Sequence, residues 1–497
     1  MTAAMQETHD TPSRRPALPT NAGSKLVEAI LRHARQRPDA EAVGEADGAE
    51  RRCTYGELAG LAAAKAACLR ARVEPGGVVL ALMPGGVDLI AWFCGAMAAG
   101  VRLLPLHAQI AGPEALEVAR RAGAKAAVVG PEMRAGPALA GLEQLPIGVS
   151  GEAALELTLP TGRAGAVVLG SSGTTGLPKL AVRESASLDA DAAGVIGGMG
   201  LTAADRVVFA TPLGHSYGVD VLVAVLTAGA TLRVLTQSDA EVLARELERG
   251  ATVLPGVPFV FEALARRERR GEVPLRLALS AGSPLPARVR AAFAAAWGVE
   301  VGQLYGATEL GTVAIDAPGS AGFDASSVGR PLPGVSMRVV DAADATRTLG
   351  PGEEGQLVVR APSMLSEYSD GEVPLVDGHF LTGDLAVMDR AGRVHITGRL
   401  KMLIDVGAYK VNPLEVEAVL GSHPGVAECV VVPIAASESV QRLRAVVVLV
   451  QREAQPTARE LRHFLQERLS AIKVPRVVEF AMELPKSPTG KVLRDRV

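Results

Sequence analysis

A glycine-rich and hydroxyl-rich loop at the end of an apolar run is the feature that most constrains this chain. Residues 166–169 read Ala-Val-Val-Leu, which predicts a buried strand, and Gly170, Gly173 and Gly176 follow. Glycines allow successive backbone N–H groups to converge on one point, so such a loop at a sheet edge is typical of phosphate binding. Its other donors are Ser171, Ser172, Thr174, Thr175 and Lys179. The segment predicts a polyanion site, with a flexible turn between two strands as the alternative.

This loop differs from the phosphate loop of kinases and many ATPases. That motif, GxxxxGK[ST], has its lysine followed by a hydroxyl residue where a helix begins. Here Lys179 is followed by Leu180, and Pro178 obstructs a helix that would begin at this point. A phosphotransferase that releases ADP is therefore disfavoured, although it stays an alternative.

Composition narrows the class of protein. The chain has 497 residues, more than one hydrophobic core usually serves, so we expect more than one domain. Its net charge is −3 and it carries no long basic stripe, which argues against a nucleic acid partner. Aromatic residues form only 3% of the chain, too few for base-stacking platforms, and abundant small aliphatic residues fit an α/β enzyme.

The cysteines and histidines indicate a reducing compartment and no soft metal site. The cysteines are Cys53, Cys68, Cys94 and Cys429. They lie far apart without a CxxC motif or a Cys–His pair, which predicts buried, reduced thiols in a cytoplasmic protein. The 8 histidines are equally scattered, so we expect no cage of nitrogen and sulfur ligands. Any metal is expected to be a hard cation that arrives with phosphate.

Hydropathy predicts no membrane segment. Residues 1–23 combine prolines and polar residues without an apolar core, so we expect a disordered leader rather than a signal peptide or membrane anchor. The longest apolar run, residues 89–101, contains glycines and is too short to span a bilayer. It predicts a helix of the core.

Helical and strand patterns alternate along most of the chain. Helices are predicted at 26–35 and 88–99, and strands at 78–82, 102–106, 126–129, 206–209, 231–235, 276–279 and 299–304. This alternation predicts an α/β fold whose large N-terminal domain, residues 24–400, contains parallel or mixed sheets flanked by helices.

The pattern changes near residue 399. The sequence Asn-Pro-Leu-Glu predicts a helix start, with Asn412 as N-cap and Glu415 completing a capping box. A second start of this kind is predicted at Thr457 with Glu460. Strands are predicted at 429–432 and 445–450. We expect a small α+β C-terminal domain, residues 401–497, joined to the large domain through residues 398–401.

Three further segments contain chemically useful side chains. Residues 305–309, Tyr-Gly-Ala-Thr-Glu, follow a predicted strand and offer a ring for stacking and a carboxylate for Mg²⁺. Residues 381–384, Leu-Thr-Gly-Asp, predict a turn whose carboxylate suits ribose hydroxyls, and Arg399 adds a charged donor. A loop near the end carries Lys486 and Lys491. Each segment alone is explained better by a turn, a surface arginine or solvated lysines than by a binding site.

In order and spacing, these segments resemble the adenylate-forming superfamily of acyl-CoA synthetases, aryl acid ligases, luciferases and peptide-synthetase adenylation domains. The resemblance runs from about residue 24 to the end. It includes further landmarks at residues 54–58 (TYGEL), 254–258 (LPGVP), 280–285 (SAGSPL) and 328–334 (VGRPLPG). It implies a small domain that rotates between two half-reactions, with Lys401 as the hinge.

The resemblance implies a nucleotide site built from most of these motifs. Its positions are Ser171, Ser172, Gly173, Thr174, Thr175, Gly176 and Lys179 for the phosphates, Tyr305 for adenine stacking, Ala281, Gly282 and Ser283 on the strand that lies along the adenine, Gly306 as a further nucleotide contact, and Asp384 and Arg399 for the ribose. Glu309 matches the position of the Mg²⁺ ligand, and Thr308 that of a phosphate contact.

The implied reaction explains why these residue types are needed. A carboxylate attacks the α-phosphate of ATP, and the two anions repel unless positive charge lies where they meet. Lys491 matches the lysine that bridges them, and the implied catalytic residues are Lys491, His215, Glu309 and Thr308. Pyrophosphate leaves, and a thiol then displaces AMP from the mixed anhydride.

Two departures bear on the substrate and the acceptor. His215 stands where amino-acid-activating relatives carry an aspartate, so the resemblance implies a fatty or aryl acid rather than an amino acid. The implied acyl pocket consists of His215, Tyr217, Gly282, Gly306 and Val313. Gly407 and Ala408 match the thiol channel, where most thioester-forming relatives have glycine in place of Ala408. The methyl group of Ala408 would narrow this channel.

The sequence therefore predicts an ATP- and Mg²⁺-dependent acid–thiol ligase that acts on a non-amino carboxylic acid, fatty or aryl, with CoA as the expected acceptor. One alternative is an enzyme that loads the phosphopantetheine of an acyl or aryl carrier protein, or stops at the adenylate. A catalytically silent binding protein is disfavoured, because the expected lysine, glutamate and aspartate positions are all filled.

Overall fold

The protein is described by a computed structural model that covers most of the chain after the predicted leader. The described residues are 23–47, 51–106, 108, 110–133, 136–148, 156–160, 162–171, 179–235, 239–267, 271–369, 371–406, 409–435, 441–451, 455–487 and 490–497. The predicted leader, residues 1–23, therefore lies outside this part of the chain except for its last residue.

Helices and strands alternate within these residues. The helices are α1 (Lys25–Gln36), α2 (Tyr55–Arg72), α3 (Val87–Ala99), α4 (Gly112–Ala122), α5 (Ser185–Met199), α6 (Ser216–Ala228), α7 (Ala240–Glu248), α8 (Pro258–Ala265), α9 (Ala287–Trp297), α10 (Pro413–Gly421) and α11 (Ala458–Gln466). The strands are β1 (Glu41–Glu45), β2 (Arg52–Thr54), β3 (Val78–Leu82), β4 (Arg102–Leu106), β5 (Ala124–Val129), β6 (Glu143–Gln144), β7 (Ala166–Ser171), β8 (Lys179–Glu184), β9 (Arg206–Phe209), β10 (Thr231–Val234), β11 (Val253–Gly256), β12 (Leu277–Ser280), β13 (Val301–Ala307), β14 (Gly311–Asp316), β15 (Arg330–Pro331), β16 (Ser336–Val340), β17 (Glu354–Arg360), β18 (Glu367–Tyr368), β19 (Leu375–Val376), β20 (His379–Met388), β21 (Val394–Arg399), β22 (Ile404–Val406), β23 (Tyr409–Val411), β24 (Val426–Ala435), β25 (Gln441–Leu449) and β26 (Val477–Phe480).

Two large mixed sheets enclose a layer of helices. One has the strand order β15-β14-β13-β12-β11-β9-β10-β1-β2, and its strands from β13 to β1 are parallel. The other has the order β18-β8-β7-β4-β3-β5-β6, with β7 to β6 parallel. The main core lies between them, and α1, α2, α3 and α6 contribute most of its helical side chains. The predicted α/β architecture of mixed sheets flanked by helices is confirmed.

Smaller units follow in the second half of the chain. Strands β16, β17, β19, β20 and β21 form an antiparallel sheet, whose core includes Leu310 and Val313 from the β14 region. After Arg399 come a hairpin of β22 and β23 and a sheet of β24, β25 and β26, which packs with α10 and α11 around a core of its own. The exact domain boundary at Lys401 stays a prediction.

Local patterns located many elements well. The strands predicted at 78–82, 102–106 and 206–209 have those bounds, and the apolar run 89–101 is centred on the buried helix α3. Three site segments were predicted wrongly. Tyr305 and Gly306 lie inside β13 rather than after it, residues 281–283 form a bend after β12 instead of a strand, and Asp384 lies inside β20 rather than in a turn.

Of the two capping boxes predicted in the C-terminal region, one is present and one is not. Thr457 and Glu460 form the predicted capping box at α11. At α10, Asn412 is the N-cap and accepts a hydrogen bond from the N–H of Leu414, but the predicted capping box is wrong. The carboxylate of Glu415 instead pairs with Lys473, at 2.6 Å between Oε1 and Nζ. Glu415 therefore binds a lysine that is distant in sequence rather than the backbone N–H of Asn412.

The four cysteines were predicted to be buried, reduced thiols. All four cysteines are free thiols; Cys53, Cys68 and Cys94 are buried and Cys429 is partly buried. Burial raises the pKa of Cys53 to about 12, so this thiol stays protonated. Among the described helices, none combines the length and the apolar character needed to cross a bilayer.

Candidate active site

Strand register places an acid, an arginine and a tyrosine together. Asp384 of β20 stands directly opposite Arg399 of β21, and the Arg399 Nε lies 2.5 Å from the Asp384 Oδ1. The Tyr305 Oη donates a hydrogen bond to the other carboxylate oxygen, Oδ2, at 2.6 Å. Burial, and then the negative charge of Asp384, raise the pKa of Tyr305 well above its usual range. The phenol is therefore a donor to a carboxylate that is itself only 4% exposed.

A bulged strand, rather than a turn, carries this aspartate. Gly383 has a φ of 72°, which favours glycine, and the pairing of β20 with β17 shifts in register between Leu381 and Leu385, the stretch that contains it. The Thr382 Oγ1 donates to the Leu357 carbonyl at 2.7 Å and accepts from the Asp384 N–H at 3.0 Å. These contacts fix the direction of the aspartate from both sides.

The hairpin of β13 and β14 presents the second acid. Thr308 and Glu309 form the turn between these strands. A side chain at Gly306 would place its Cβ only 2.5 Å from the Gly311 carbonyl, so glycine is needed there for the close approach of the two strands. This explains Gly306 without reference to a pocket. Glu309 is partly buried at the tip, where it can meet a ligand.

Tyr368 joins Glu309 to the end of the predicted phosphate loop, and the sequence analysis missed it. The Tyr368 Oη donates to the Glu309 Oε1 at 2.8 Å, and the Lys179 Nζ lies 5.0 Å from the Tyr368 ring centroid. Burial, and then the charge of Glu309, raise the pKa of Tyr368. Its strand, β18, has two residues and pairs with β8, so no local periodicity could have indicated the contact.

The C-terminal lysine approaches the acid–arginine pair. The pKa of Lys491 is lowered below the usual 10.5, first by desolvation and then by repulsion from Arg399, while Asp384 opposes the change. The preceding Gly490 has a φ of 77°, and a Cβ there would lie 2.7 Å from the Phe259 Cβ of α8. The loop is thus in close contact with the large domain, and Lys491 lies within electrostatic reach of the Asp384–Arg399 pair.

The predicted acyl pocket is only partly supported by the packing. His215 is the N-cap residue of α6, and Tyr217, in the first turn, packs edge-on against Phe209 with ring centroids 5.6 Å apart. Gly282 has a φ of 83°, which favours glycine in the bend after β12. Val313 is fully buried in the core of the antiparallel sheet that β16, β17, β19, β20 and β21 form, so it offers no surface to a ligand in this structure.

A buried charge cluster, also missed by sequence reasoning, lies beside these elements. Arg183 of β8 is fully buried and pairs with Asp191 of α5 at 3.0 Å and with Asp220 of α6 at 2.5 Å. Asp191 also accepts a hydrogen bond from the Thr312 N–H of β14 at 2.8 Å. Burial raises the pKa of Asp220 well above its usual range, with Arg183 opposing this and Asp191 adding to it. The cluster ties the strand after the phosphate loop to α6, the helix that has His215 as its N-cap.

A metal ion at this site would need ligands from the same residues. In the described ranges, no group of three or more His, Cys, Asp or Glu side chains could hold a metal ion by itself. Glu309 uses Oε1 for Tyr368, and its Oε2 accepts no hydrogen bond from the described residues. One open carboxylate oxygen fits Mg²⁺, which is usually held by one or two carboxylates together with substrate phosphates.

Several predicted site residues lie outside the described ranges. They are Ser172, Gly173, Thr174, Thr175, Gly176, Gly407 and Ala408. Ser171 ends β7, and Lys179 begins β8, so the ends of the phosphate loop are paired with each other in register. The structure thus groups Tyr305, Asp384, Arg399 and Lys491 in one cluster. A second cluster consists of Glu309 and Lys179, which are linked through Tyr368.

Comparison with known proteins decides the family. Residues 30–369 match the family described as AMP-binding enzyme, and residues 415–491 match its C-terminal domain. The chain belongs to the AMP-binding enzyme family. A feruloyl-CoA synthase of Amycolatopsis sp is 31% identical over 94% of this chain and 97% of its own length. A long-chain-fatty-acid–CoA ligase of Escherichia coli O157:H7 is 32% identical, over 58% of this chain and 53% of its own length. The ATP-bound MatB of Rhodopseudomonas palustris has the same fold, with a TM-score of 0.85 and 27% identity over 95% of this chain and 99% of its own.

This AMP-binding enzyme is an AMP-forming acid–thiol ligase of the acyl- and aryl-CoA ligase branch. It uses ATP to convert a carboxylic acid into an acyl-adenylate with release of pyrophosphate, and then transfers the acyl group to a thiol. The predicted superfamily, fold class and enzyme class are confirmed.

Proposed function

We propose that this ligase activates an aromatic carboxylic acid, uses ATP with Mg²⁺, and passes the acyl group to CoA. The extent of the similarity supports the aromatic class. The feruloyl-CoA synthase matches this chain almost from end to end, whereas the long-chain-fatty-acid ligase aligns over little more than half of either chain. A carrier protein in place of CoA is the second candidate acceptor, because the fatty acid–[acyl-carrier-protein] ligase ScoC of Streptomyces coeruleorubidus is 33% identical over 65% of this chain and 65% of its own length.

The nucleotide is proposed to bind between two groups of residues. One group consists of Tyr305, Asp384, Arg399 and Lys491, and the other of Glu309 and Lys179. Tyr305 would stack on adenine, beside the bend at residues 281–283. Asp384 and Arg399 would bind the ribose hydroxyls, since each carboxylate oxygen can accept a second hydrogen bond. Ser171, Lys179, Thr308 and the loop between residues 171 and 179 would hold the phosphates, and Glu309 would hold Mg²⁺. The bound cation would offset the negative charge of the phosphates.

The observation that carries the catalytic proposal is the position of Lys491. Its charge interacts with both Arg399 and Asp384, the proposed ribose ligands. A lysine at this place can neutralise the substrate carboxylate and the α-phosphate as they approach each other. Repulsion between these two anions is the electrostatic part of the barrier to adenylation. His215 and Tyr217 would enclose the acyl group, Lys401 would act as the hinge, and residues 407–408 would border the thiol channel.

Pyrophosphate exchange into ATP tests the proposed substrate. The purified enzyme would be offered aryl, arylalkenyl, fatty and amino acids, each with Mg²⁺ and then with CoA or a phosphopantetheinyl carrier protein. We expect exchange with aryl acids to exceed that with fatty acids by about tenfold, the discrimination that a shaped apolar pocket achieves. CoA-dependent release of AMP supports CoA as the acceptor. Release of ADP, or no exchange with any acid, contradicts the proposal.

The lowered pKa of Lys491 predicts an alkaline limit for adenylation. The ammonium form is needed, and a depressed pKa means that this charge is lost as pH rises, before the usual lysine value of 10.5 is reached. Exchange by the wild type should therefore fall on the alkaline side. Lys491→Arg keeps its charge to a pH above about 12, so its profile should lack this fall even though its rate at neutral pH is lower. Exchange rates between pH 7 and the alkaline stability limit of each variant measure the difference; identical alkaline limbs contradict the assignment.

A further inference from the structure

Tyr368 contacts both charged residues that the proposed function places at the phosphate end of ATP. Its Oη donates to Glu309, and its ring face lies under the Lys179 amine. Lys179 and Glu309, although both are described, form no ion pair with each other. One aromatic side chain therefore stands between a cation and an anion that would otherwise attract.

The backbone holds Tyr368 firmly in this position. Tyr368 is paired with Ala181 across β18 and β8, in the strand that begins at Lys179. On the other side, the Leu365 N–H donates to the Glu309 carbonyl at 2.8 Å. The side chain is only 7% exposed and packs with Ala181 and Leu365. A residue anchored to both partners in this way can fix their separation.

Each contact leaves its partner able to bind a ligand. The hydrogen bond uses one oxygen of Glu309 and aims the carboxylate, while Oε2 stays open to a hard cation. The cation–π contact is weak and engages no N–H direction in particular, so the three donors of Lys179 remain available to phosphate oxygens. A direct ion pair between Lys179 and Glu309 would instead neutralise both groups before ATP arrives.

We propose that Tyr368 is a positioning residue that keeps Lys179 and Glu309 apart and directs both toward the triphosphate and its magnesium ion. This inference rests on the proposed function, because it assumes that ATP phosphates lie between these two residues. In this role Tyr368 acts through its contacts with Glu309 and Lys179.

Calorimetric titration of ATP without any acid substrate tests this role by binding alone. Tyr368→Phe removes the hydrogen bond and keeps the ring. We expect its Kd for ATP in MgCl2 to rise about tenfold, the effect of one hydrogen bond to a charged group, while its Kd in EDTA changes less than about twofold. Tyr368→Leu also removes the ring, so its Kd in EDTA should rise about threefold. In exchange assays, the KM for the acid should stay within about twofold of wild type in Tyr368→Phe.

Tyr55→Phe provides a matched control. Tyr55 is also buried, and its hydroxyl donates at 2.8 Å to the Ala230 carbonyl, which is not part of the proposed phosphate site. Thermal melting of all variants separates a loss of fold from a loss of binding. The inference is overturned if Tyr368→Phe is folded and binds ATP as the wild type does, if it loses affinity equally with and without Mg²⁺, or if Tyr55→Phe shows the same change. A wild type that binds Mg²⁺–ATP but exchanges pyrophosphate with no acid would instead refute the proposed substrate class.

Discussion

Lys491→Ala is expected to slow acyl-adenylate formation by at least about a hundredfold, while thioester formation from a preformed acyl-adenylate stays within about twofold of wild type. The first half-reaction brings two anions together, and Lys491 is the cation beside the Asp384–Arg399 pair that can neutralise them. The second half-reaction joins a thiol to a neutral carbonyl carbon and has no such collision. Pyrophosphate exchange measures the first step, and CoA-dependent AMP release from synthetic adenylate measures the second.

Lys486→Ala is the matched control for this experiment. It removes a lysine charge from the same loop, but Lys486 is paired with Glu428 at 2.7 Å. We expect Lys486→Ala to keep exchange within about threefold of wild type, as is usual for a partly exposed ion pair. Equal losses of both half-reactions in Lys491→Ala, or equal losses of exchange in the two lysine variants, would refute the role assigned to Lys491.

Arg183→Met is expected to destabilise the large domain by about 3–5 kcal/mol. The substitution leaves Asp191 and Asp220 buried with no cation between them, since the Arg183 side chain is fully buried and pairs with both. An uncompensated buried charge costs far more than an apolar side chain of similar size gains. Urea unfolding followed by tryptophan fluorescence measures the loss, because Trp92 and Trp297 are both fully buried in the large domain.

Two further variants show whether charge or packing is responsible. Removing all three charges, in Arg183→Met with Asp191→Asn and Asp220→Leu, should recover more than half of the lost stability, because no unpaired charge then remains in the core. Arg266→Met serves as the surface control, since its side chain is 74% exposed in an ion pair with Glu262, and it should cost less than about 0.5 kcal/mol. If Arg183→Met is as stable as Arg266→Met, the cluster contributes nothing to the fold.

Much of the framework was predictable because it depends on local pattern. Continuous runs of β-branched and aliphatic residues located β3, β4 and β9, and the order of strands and helices indicated parallel sheets. The capping box at α11 was also predictable, because Thr457 and Glu460 are only three residues apart. In each case, the partners are neighbours along the chain.

Where local pattern failed, a distant partner had changed the outcome. Thr-Gly-Asp at 382–384 favours a turn, yet β17 and β21 pair on either side of β20 and hold these residues in a strand. Glu415 could have capped α10, but Lys473, 58 residues away in sequence, binds its carboxylate instead. Gly306 suggested room for a substrate, whereas it serves the close approach of β14.

The amino-acid sequence by itself determined the family, the α/β architecture and the types of group available for ATP chemistry, because these follow from residue order and short-range pattern. Only the tertiary structure decided which charges meet. The pairing of Asp384 with Arg399, the contact of Tyr368 with Glu309 and Lys179, and the burial of Arg183 between two aspartates all join residues from different elements. Strand register and the cost of burying unpaired charge select these contacts, and neither leaves a mark in the local sequence.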